Sequence, residues 1–157
     1  MSRQERRLPE AGVRAPEFRL PLLDGPAIDI SLAEIAARGE ALLAFFKVSC
    51  PVCQLTFPFL ERVHRAGELI VYGISQNDAQ DTRDFAARCR TTFPMLLDSE
   101  KSGYLVSSAY GISSVPTMFR INRGGAIAQV MLGWRKPEMI ALGAVGPGDA
   151  VPEWKAG

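Results

Sequence analysis

One uninterrupted apolar run dominates the hydrophobic pattern of this chain. Positions 41–46, Ala-Leu-Leu-Ala-Phe-Phe, contain no polar side chain, and positions 69–74 form a second, slightly more mixed run. Short apolar runs without helical spacing are typical of strands that are buried on both faces of a sheet. Shorter strands are predicted at 95–97, 117–121 and 126–132, where apolar residues again follow one another over a few positions.

Helical patterns separate these strands. The predicted helices cover residues 32–38, 51–65, 77–90 and 137–142, and residues 102–110 form either a helix or a single irregular turn. Ser31, with Glu34 three residues later, is a capping box and marks the start of the first helix. Pro58 is expected to interrupt the second helix, because an internal proline removes one backbone hydrogen bond and bends the helix.

A β-hairpin is predicted before the first long strand. Residues 15–20 alternate apolar and polar side chains, Asp24-Gly25 favours a turn, and residues 27–30 form the returning strand. The whole order of strands and helices predicts one α/β domain with this hairpin at its beginning.

The chain has the size and composition of a single globular domain. Its 157 residues are enough for a complete core, and contents of 47% hydrophobic and 22% charged residues are typical of folded proteins. We therefore divide the sequence into a flexible N-terminal arm (1–14), one domain (15–143) and an irregular C-terminal tail (144–157), which shows no periodicity.

Charge and hydropathy argue against two classes of partner. A net charge of +1 provides no electrostatic basis for binding nucleic acid or an anionic membrane surface. No apolar run approaches the roughly 20 residues of a membrane span. Residues 1–12 are charged and lack the apolar stretch of a secretory signal, so we expect a cytoplasmic protein as the chain is written. If a signal or anchor has been trimmed from the N-terminus, we expect a periplasmic or anchored protein instead.

Candidate chemistry lies where the first long strand ends and a helix begins. Cys50-Pro51-Val52-Cys53 stands at this transition, so the Cys50 sulfur is expected at the helix N-terminus. Unpaired backbone N–H groups and the positive end of the helix dipole favour the thiolate form there. Pro51 suits the first helical position, because its missing N–H costs no hydrogen bond. Cys53 lies one turn later on the same face, so the pair can close a disulfide.

Three other roles are compatible with a pair of cysteines. Free cysteines often pack in protein cores. A structural zinc site needs four ligands, and the chain adds only Cys89 and His64, neither of them at finger-like spacing. A structural disulfide across so short a ring would constrain the unfolded chain little. The odd total of three cysteines also favours a catalytic pair, and Cys89, on the apolar side of its helix, is expected to serve packing.

Further motifs accompany the cysteine pair. They are Gly12-Val13-Arg14-Ala15-Pro16-Glu17-Phe18 before the Asp24-Gly25 turn, Pro58, Phe93-Pro94 with Asp98, Tyr110-Gly111-Ile112, Val115-Pro116-Thr117 and Gly124-Gly125. Over residues 12–142 the chain thereby resembles the redoxin group of the thioredoxin superfamily, and it is most similar to TlpA-like thiol–disulfide oxidoreductases. The resemblance implies an α/β, thioredoxin-like fold, in which a central mixed sheet is flanked by helices and preceded by the β-hairpin.

The resemblance also implies a role for the residues around the pair. Cys50 and Cys53 would exchange a dithiol for a disulfide, and Pro116 would be a cis proline packed against them. The cis bond would let the Val115 backbone pair with an extended substrate segment, and Pro51 and Val52 would border the same surface. No metal or organic cofactor is expected. The expected partners are a protein or small thiol bearing a disulfide or dithiol, and an upstream thiol reductant or oxidant.

The chain departs from the thioredoxin pattern around Cys53. Ala44 occupies the position of a buried acid in thioredoxins, and Ser49 occupies the position of their tryptophan. Thr56 stands where many TlpA-like proteins have a glutamate. The proton of Cys53 therefore lacks its usual carboxylate, and water, Lys47 or another group would have to accept it.

Two alternative functions stay open at this point. A thiol peroxidase of the peroxiredoxin (AhpC/TSA) type needs Thr or Ser three residues before its reactive cysteine. That position is Lys47 for Cys50, and it is Cys50 itself for Cys53. A non-catalytic thioredoxin-like module would instead bind a ligand at the sheet edge or at the Pro116 groove, although an intact cysteine pair argues against this role.

Overall fold

A central sheet of five strands organises the fold in a computed structural model, which describes residues 7–25 and 27–157. The strands are β1 (Arg19–Pro21), β2 (Asp29–Ser31), β3 (Ala41–Phe46), β4 (Ile70–Ser75), β5 (Met95–Leu97), β6 (Thr117–Ile121), β7 (Ile127–Leu132), β8 (Trp134–Arg135) and β9 (Trp154–Lys155). The helices are α1 (Leu32–Arg38), α2 (Pro51–Ala66), α3 (Ala79–Cys89), α4 (Leu105–Ala109) and α5 (Lys136–Ala141), and a 3₁₀ turn covers Glu100–Ser102.

The central sheet is mixed and has the strand order β5-β4-β3-β6-β7. Strand β3 pairs in parallel with β4, and β4 pairs in parallel with β5, whereas β6 and β7 run antiparallel to their neighbours. Strands β1 and β2 form the antiparallel hairpin before the sheet. The predicted α/β class, mixed sheet and N-terminal hairpin are therefore confirmed. Within the described part of the chain, no helix is long and apolar enough to cross a bilayer.

Complete burial of β3 confirms the strand predicted from the apolar run. Every residue of β3 has 0% exposure. Because side chains alternate between the two faces of a strand, Phe45 and Phe46 pack into different layers. The Phe45 ring lies 5.1 Å from Tyr110 and 5.7 Å from Phe119 between ring centroids. The Phe46 ring lies 4.4 Å from Phe57. Helices thus cover the sheet on both faces, and β3 is held between them.

Helix α2 differs from its prediction at Pro58. The helix continues through this residue to Ala66, so the expected interruption is wrong. Pro58 is exposed, and Gln54, whose carbonyl loses its helical donor, is exposed as well. Water can therefore replace the missing hydrogen bond. The helix ends where Gly67 adopts the left-handed conformation and its amide donates to His64 O at 3.1 Å.

Both ends of the described chain make contacts that the sequence pattern does not indicate. The Gly12 amide donates to Ile127 O at 2.7 Å, and the Ile127 amide donates to Val13 O at 2.8 Å. Strand β9 pairs with β8, so the prediction of an entirely irregular tail is wrong at Trp154–Lys155. The division of the chain at residues 14 and 143 stays a prediction. Residues 1–6 of the predicted arm lie outside the described residues.

A buried carboxylate, that of Glu61, connects α2 to the segment before β5. It accepts hydrogen bonds from the Thr92 amide at 2.7 Å, the Thr92 hydroxyl at 2.6 Å and Arg65 Nε at 2.9 Å. Burial by itself raises the pKa of a carboxyl group, but these donors outweigh burial and lower the pKa of Glu61 below its ordinary value.

We expect Glu61→Gln to lower the free energy of unfolding by about 2 kcal/mol at neutral pH, because hydrogen bonds to a charged acceptor are lost. A carboxyl group whose pKa is lowered by folding stabilises the protein above its unfolded pKa. This stabilisation is lost as the pH falls through the folded pKa, so the difference in urea unfolding between variant and wild type should shrink in acid. The exposed Glu68 offers the control substitution Glu68→Gln. A difference that stays constant with pH would contradict the charge-based explanation.

Candidate active site

The candidate site lies where β3 ends and α2 begins. Hydrogen bonds hold the short connection, with the Val48 amide donating to Asn77 Oδ1 at 3.0 Å and Gln54 Nε2 donating to Val48 O at 3.0 Å. The Cys50 amide donates to Lys47 O at 3.2 Å. The loop after β4 and helix α2 therefore both fix the backbone just before Cys50.

Cys50 is the N-cap residue of α2, as the sequence predicts. Its sulfur accepts a hydrogen bond from the Cys53 amide at 3.3 Å, and Pro51 occupies the start of the helix. The same thiol donates to the Val115 carbonyl at 3.3 Å. Cys50 is partly exposed, so its sulfur is accessible and lies beside the unpaired N–H groups of the helix N-terminus.

Cys53 differs from Cys50 in being fully buried. Burial raises the pKa of the Cys53 thiol well above its ordinary value, and the hydrogen bond with Cys50 raises it further. A hydrogen bond from the Lys47 backbone acts in the opposite direction and is weaker than these effects. Both thiols are free. Cys53 therefore keeps its proton in the reduced protein, and it becomes a nucleophile only when that proton is removed.

The residues that depart from the thioredoxin pattern supply no carboxylate to Cys53. Ala44 is buried within β3, and Ser49 is exposed. The buried Thr56 hydroxyl donates to Val52 O at 2.7 Å. The route by which Cys53 loses its proton therefore differs from the one that the resemblance implies.

The cis peptide bond predicted between Val115 and Pro116 is confirmed. Both residues are buried, and the Val115 carbonyl is the acceptor for the Cys50 thiol. Pro51 is exposed and Val52 is half-buried at the same end of α2. The fold thus brings the predicted site residues together, while their individual roles in substrate binding and catalysis stay predictions.

A cavity of about 380 Å³ opens beside Val115 and has a predominantly polar lining. Its wall includes Lys47, Gln76, Tyr104, Ser107, Ser113 and Ser114. The Ser107 hydroxyl is buried and has no hydrogen-bond partner among the described residues. Polar groups of a small ligand would therefore find both charge and hydroxyl groups beside Val115, the residue that the Cys50 thiol contacts.

Two glycines near the site were not found from the sequence. The Gly133 amide donates to Pro116 O at 2.9 Å. Gly157 lies so close to Val115 that a Cβ atom at Gly157 would collide with the Val115 carbonyl oxygen. A glycine after a strand is a common turn residue, and a tail without periodicity carries no pattern, so neither contact could be predicted.

Cys89 is the last residue of α3. It is half-buried against the core, and burial raises the pKa of its thiol. This environment agrees with the packing role that the sequence indicates. Within residues 7–25 and 27–157, no group of three or more His, Cys, Asp or Glu side chains could hold a metal ion.

Alkylation should distinguish the three thiols. We expect limiting iodoacetamide to label Cys50 first, because its sulfur is accessible at the helix N-terminus, whereas burial raises the pKa of both Cys53 and Cys89. Labelling of Cys53 should increase only at strongly alkaline pH, where its thiolate forms. Peptide mass spectrometry measures the order, and labelling of Cys53 before Cys50 would reverse the assignment.

Serine variants test the same difference by exchange. Cys50→Ser should abolish exchange with a disulfide, because the attacking sulfur is lost. Cys53→Ser should accumulate a mixed disulfide at Cys50, because no second sulfur can release the partner. Cys89→Ser is the matched control and should exchange like the wild type. Non-reducing mass spectrometry detects the mixed disulfide, and its formation in Cys50→Ser would contradict the assignment.

Sequence comparison finds relatives over most of the chain. The AhpC/TSA family matches residues 11–130. The chain is 30% identical over 140 residues to the thiol-disulfide oxidoreductase ResA of Halalkalibacterium halodurans, which covers 87% of this chain and 76% of that protein. It is 31% identical over 105 residues to bcp of Helicobacter pylori, which is named a peroxiredoxin, over 65% of this chain and 68% of that protein.

A solved structure agrees with the expected fold. The thioredoxin domain of a thiol-disulfide oxidoreductase from Bacteroides vulgatus matches with a TM-score of 0.71, over 80% of this chain and 90% of that domain, at 19% identity. This similarity confirms the thioredoxin-like fold. Because the family match also spans the cysteine pair and the cis proline, the chain belongs to the AhpC/TSA family.

Proposed function

We propose that the protein is a thiol–disulfide oxidoreductase that uses Cys50 and Cys53 as its redox pair. The observation that carries this proposal is the contrast between the two sulfurs. Cys50 is accessible and accepts a hydrogen bond at a helix N-terminus, whereas Cys53 is buried one turn later and retains its proton. An attacking sulfur and a resolving sulfur need these two environments.

The exchange proceeds in two steps. The Cys50 thiolate attacks one sulfur of the partner's disulfide, so that a mixed disulfide forms, the partner's S–S bond breaks and the leaving thiolate takes up a proton. Cys53 then loses its proton and attacks the Cys50 sulfur, which releases the second partner sulfur as a thiol. The partner gains two electrons and two protons, and the protein is left with the Cys50–Cys53 disulfide. The reverse sequence oxidises a dithiol.

Two backbone groups support the attacking sulfur. The Cys53 amide donates a hydrogen bond to Cys50 Sγ, and this bond becomes stronger when the sulfur is negatively charged. The Val115 carbonyl accepts a hydrogen bond from the Cys50 thiol in the reduced protein. When Cys50 ionises, this hydrogen bond is lost, because the thiolate no longer has a proton to donate to the Val115 carbonyl.

The partners of the exchange belong to this proposal. They are a protein or small molecule that bears a disulfide or a dithiol, and an upstream thiol reductant or oxidant that resets the pair.

A thiol peroxidase is the second candidate function, because one relative in the family is named a peroxiredoxin. A peroxidase must hold hydroperoxide with hydrogen-bond donors that are already oriented beside the attacking thiolate. Lys47 is exposed and occupies the position three residues before Cys50, where peroxiredoxins have Thr or Ser. The pair in this chain is instead arranged for internal disulfide formation.

The two functions predict different kinetics. We expect saturable exchange with hydroxyethyl disulfide, and slow, non-saturable oxidation by hydrogen peroxide, because peroxide reacts slowly with an accessible thiolate that lacks oriented donors. Stopped-flow fluorescence and a coupled thiol assay measure the two rates. Cys50→Ser should abolish both reactions, and Cys89→Ser should leave both unchanged. Fast, saturable peroxide oxidation together with negligible disulfide exchange would favour the peroxidase.

A further inference from the structure

Residues 153–157, here called the tail segment, are attached to the part of the fold that borders the active site. The buried indole of Trp134 donates through Nε1 to Pro152 O at 2.7 Å, just before the tail segment begins. The Lys136 amide donates to Glu153 O at 2.9 Å, and β9 continues as an antiparallel partner of β8. Backbone hydrogen bonds and one buried anchor thus set the direction of the tail segment.

Beyond β9 the tail segment crosses the active-site surface in backbone contact. A Cβ atom built on Gly133 would lie 2.5 Å from Lys155 O and 3.1 Å from Gly157 N. A Cβ atom built on Gly157 would collide with the Val115 carbonyl oxygen and lie 3.3 Å from Pro116 N. The tail segment therefore passes over Gly133 and ends against the peptide group that precedes the cis proline.

The Val115 carbonyl is consequently in contact with two different groups. The Cys50 thiol donates to it at 3.3 Å, and Gly157 packs directly on it. An extended protein segment that adds to an exposed backbone edge does so through main-chain hydrogen bonds. Such a segment could not pair with Val115 while Gly157 fills the same van der Waals space. Large substrates must displace the tail segment before they reach this edge.

The polar cavity borders Val115, whose carbonyl accepts the hydrogen bond of the Cys50 thiol, and none of its lining residues belongs to the tail segment. Its volume of about 380 Å³ falls within the range of small-molecule sites. The lining offers the Lys47 ammonium group and the hydroxyl groups of Tyr104, Ser113 and Ser114. The ammonium group can bind a carboxylate, and the hydroxyl groups can form hydrogen bonds with hydroxyl or amide groups, so the cavity suits a ligand that carries these groups.

We propose that the tail segment selects the substrate, by excluding extended protein segments from Val115 and Pro116 and leaving Cys50 open to low-molecular-weight disulfides or thiols that carry carboxylate groups. This inference rests on the proposed exchange function and adds the substrate class to it. Cys50 and Cys53 perform the same two-step exchange described above, with the small disulfide as the oxidant.

Two variants and one control isolate the tail segment. A chain that ends at Glu153 lacks residues 154–157 but keeps the Pro152 carbonyl that anchors Trp134, and its terminal carboxylate at Glu153 can still accept from the Lys136 amide. Gly157→Leu leaves the chain length unchanged and forces a side chain into the Val115 carbonyl. Gly148→Ala is the matched control, because a Cβ atom there meets nothing within 4 Å.

Exchange is measured as kcat/KM with insulin, glutathione disulfide and hydroxyethyl disulfide. Removal of residues 154–157 should raise the value for insulin about tenfold or more, because the apparent affinity of a covered site rises when the cover is absent. Gly157→Leu should raise it by a smaller factor, and Gly148→Ala should not change it. In both tail variants, kcat/KM for the two small disulfides should stay within about twofold of the wild type, because the tail segment does not cover the cavity by which they approach.

The substitution Lys47→Gln tests the preference for carboxylate groups. It should lower kcat/KM for glutathione disulfide relative to kcat/KM for uncharged hydroxyethyl disulfide.

Other results would overturn the inference. Unchanged insulin reduction in both variants would mean that the tail segment excludes nothing, and an equal rise with all three substrates would mean that it does not select. If Lys47→Gln left the ratio of kcat/KM for glutathione disulfide to kcat/KM for hydroxyethyl disulfide unchanged, the proposed preference for carboxylate groups would be wrong. Absence of exchange with hydroxyethyl disulfide in the wild type would instead refute the proposed function itself. If the shortened chain melts at a much lower temperature, Gly157→Leu alone decides the outcome.

Discussion

The complete burial of β3 is the constraint on which the rest of this structure depends. The strand is hydrogen bonded to β4 on one side and to β6 on the other, and aromatic side chains cover both of its faces. Burial of Phe45 and Phe46 contributes on the order of 2 kcal/mol each. A shift of one residue would move each ring to the opposite face, so the register is strongly fixed. The end of β3, and with it Cys50, therefore has a defined position.

From this position the fold gives the two sulfurs opposite environments. Cys50 is the N-cap of α2 and is partly exposed, whereas Cys53 lies one turn further along and is buried in the core. One short motif thereby contains a thiol that a partner can reach and a thiol whose proton burial retains. The chain achieves this contrast without the buried acid of thioredoxins, where it has Ala44, and without the glutamate of many TlpA-like proteins, where it has Thr56.

Residues inside the family match and residues beyond it come into contact at the Val115 carbonyl. The family match covers residues 11–130 and includes the cysteine pair and the cis proline. Gly133 and the tail segment lie beyond it. Gly157 nevertheless packs against the Val115 carbonyl, which accepts the hydrogen bond of the Cys50 thiol, and the Gly133 amide donates to the next carbonyl, Pro116 O. The chemistry thus belongs to the family, while access to it depends on residues that the family match does not include. This division is physically reasonable, because exchange requires a fixed pair of sulfurs and substrate choice requires only a change in the surrounding surface.

The sequence by itself determined the features that depend on neighbouring residues. The apolar run predicted β3, Ser31 predicted the start of α1, and the cysteine motif predicted the helix N-terminus at Cys50, because each rests on local periodicity or on capping chemistry. The cis bond at Pro116 followed from the resemblance. Tertiary structure alone decided that α2 continues through Pro58, because this face of the helix is exposed and water can replace the lost hydrogen bond. It also decided that the carbonyl of Val115, 65 residues from Cys50, accepts a hydrogen bond from the Cys50 thiol and that Gly157 packs on the same carbonyl. Such contacts join segments that are distant in the chain, and only the packing of the complete sheet brings them together.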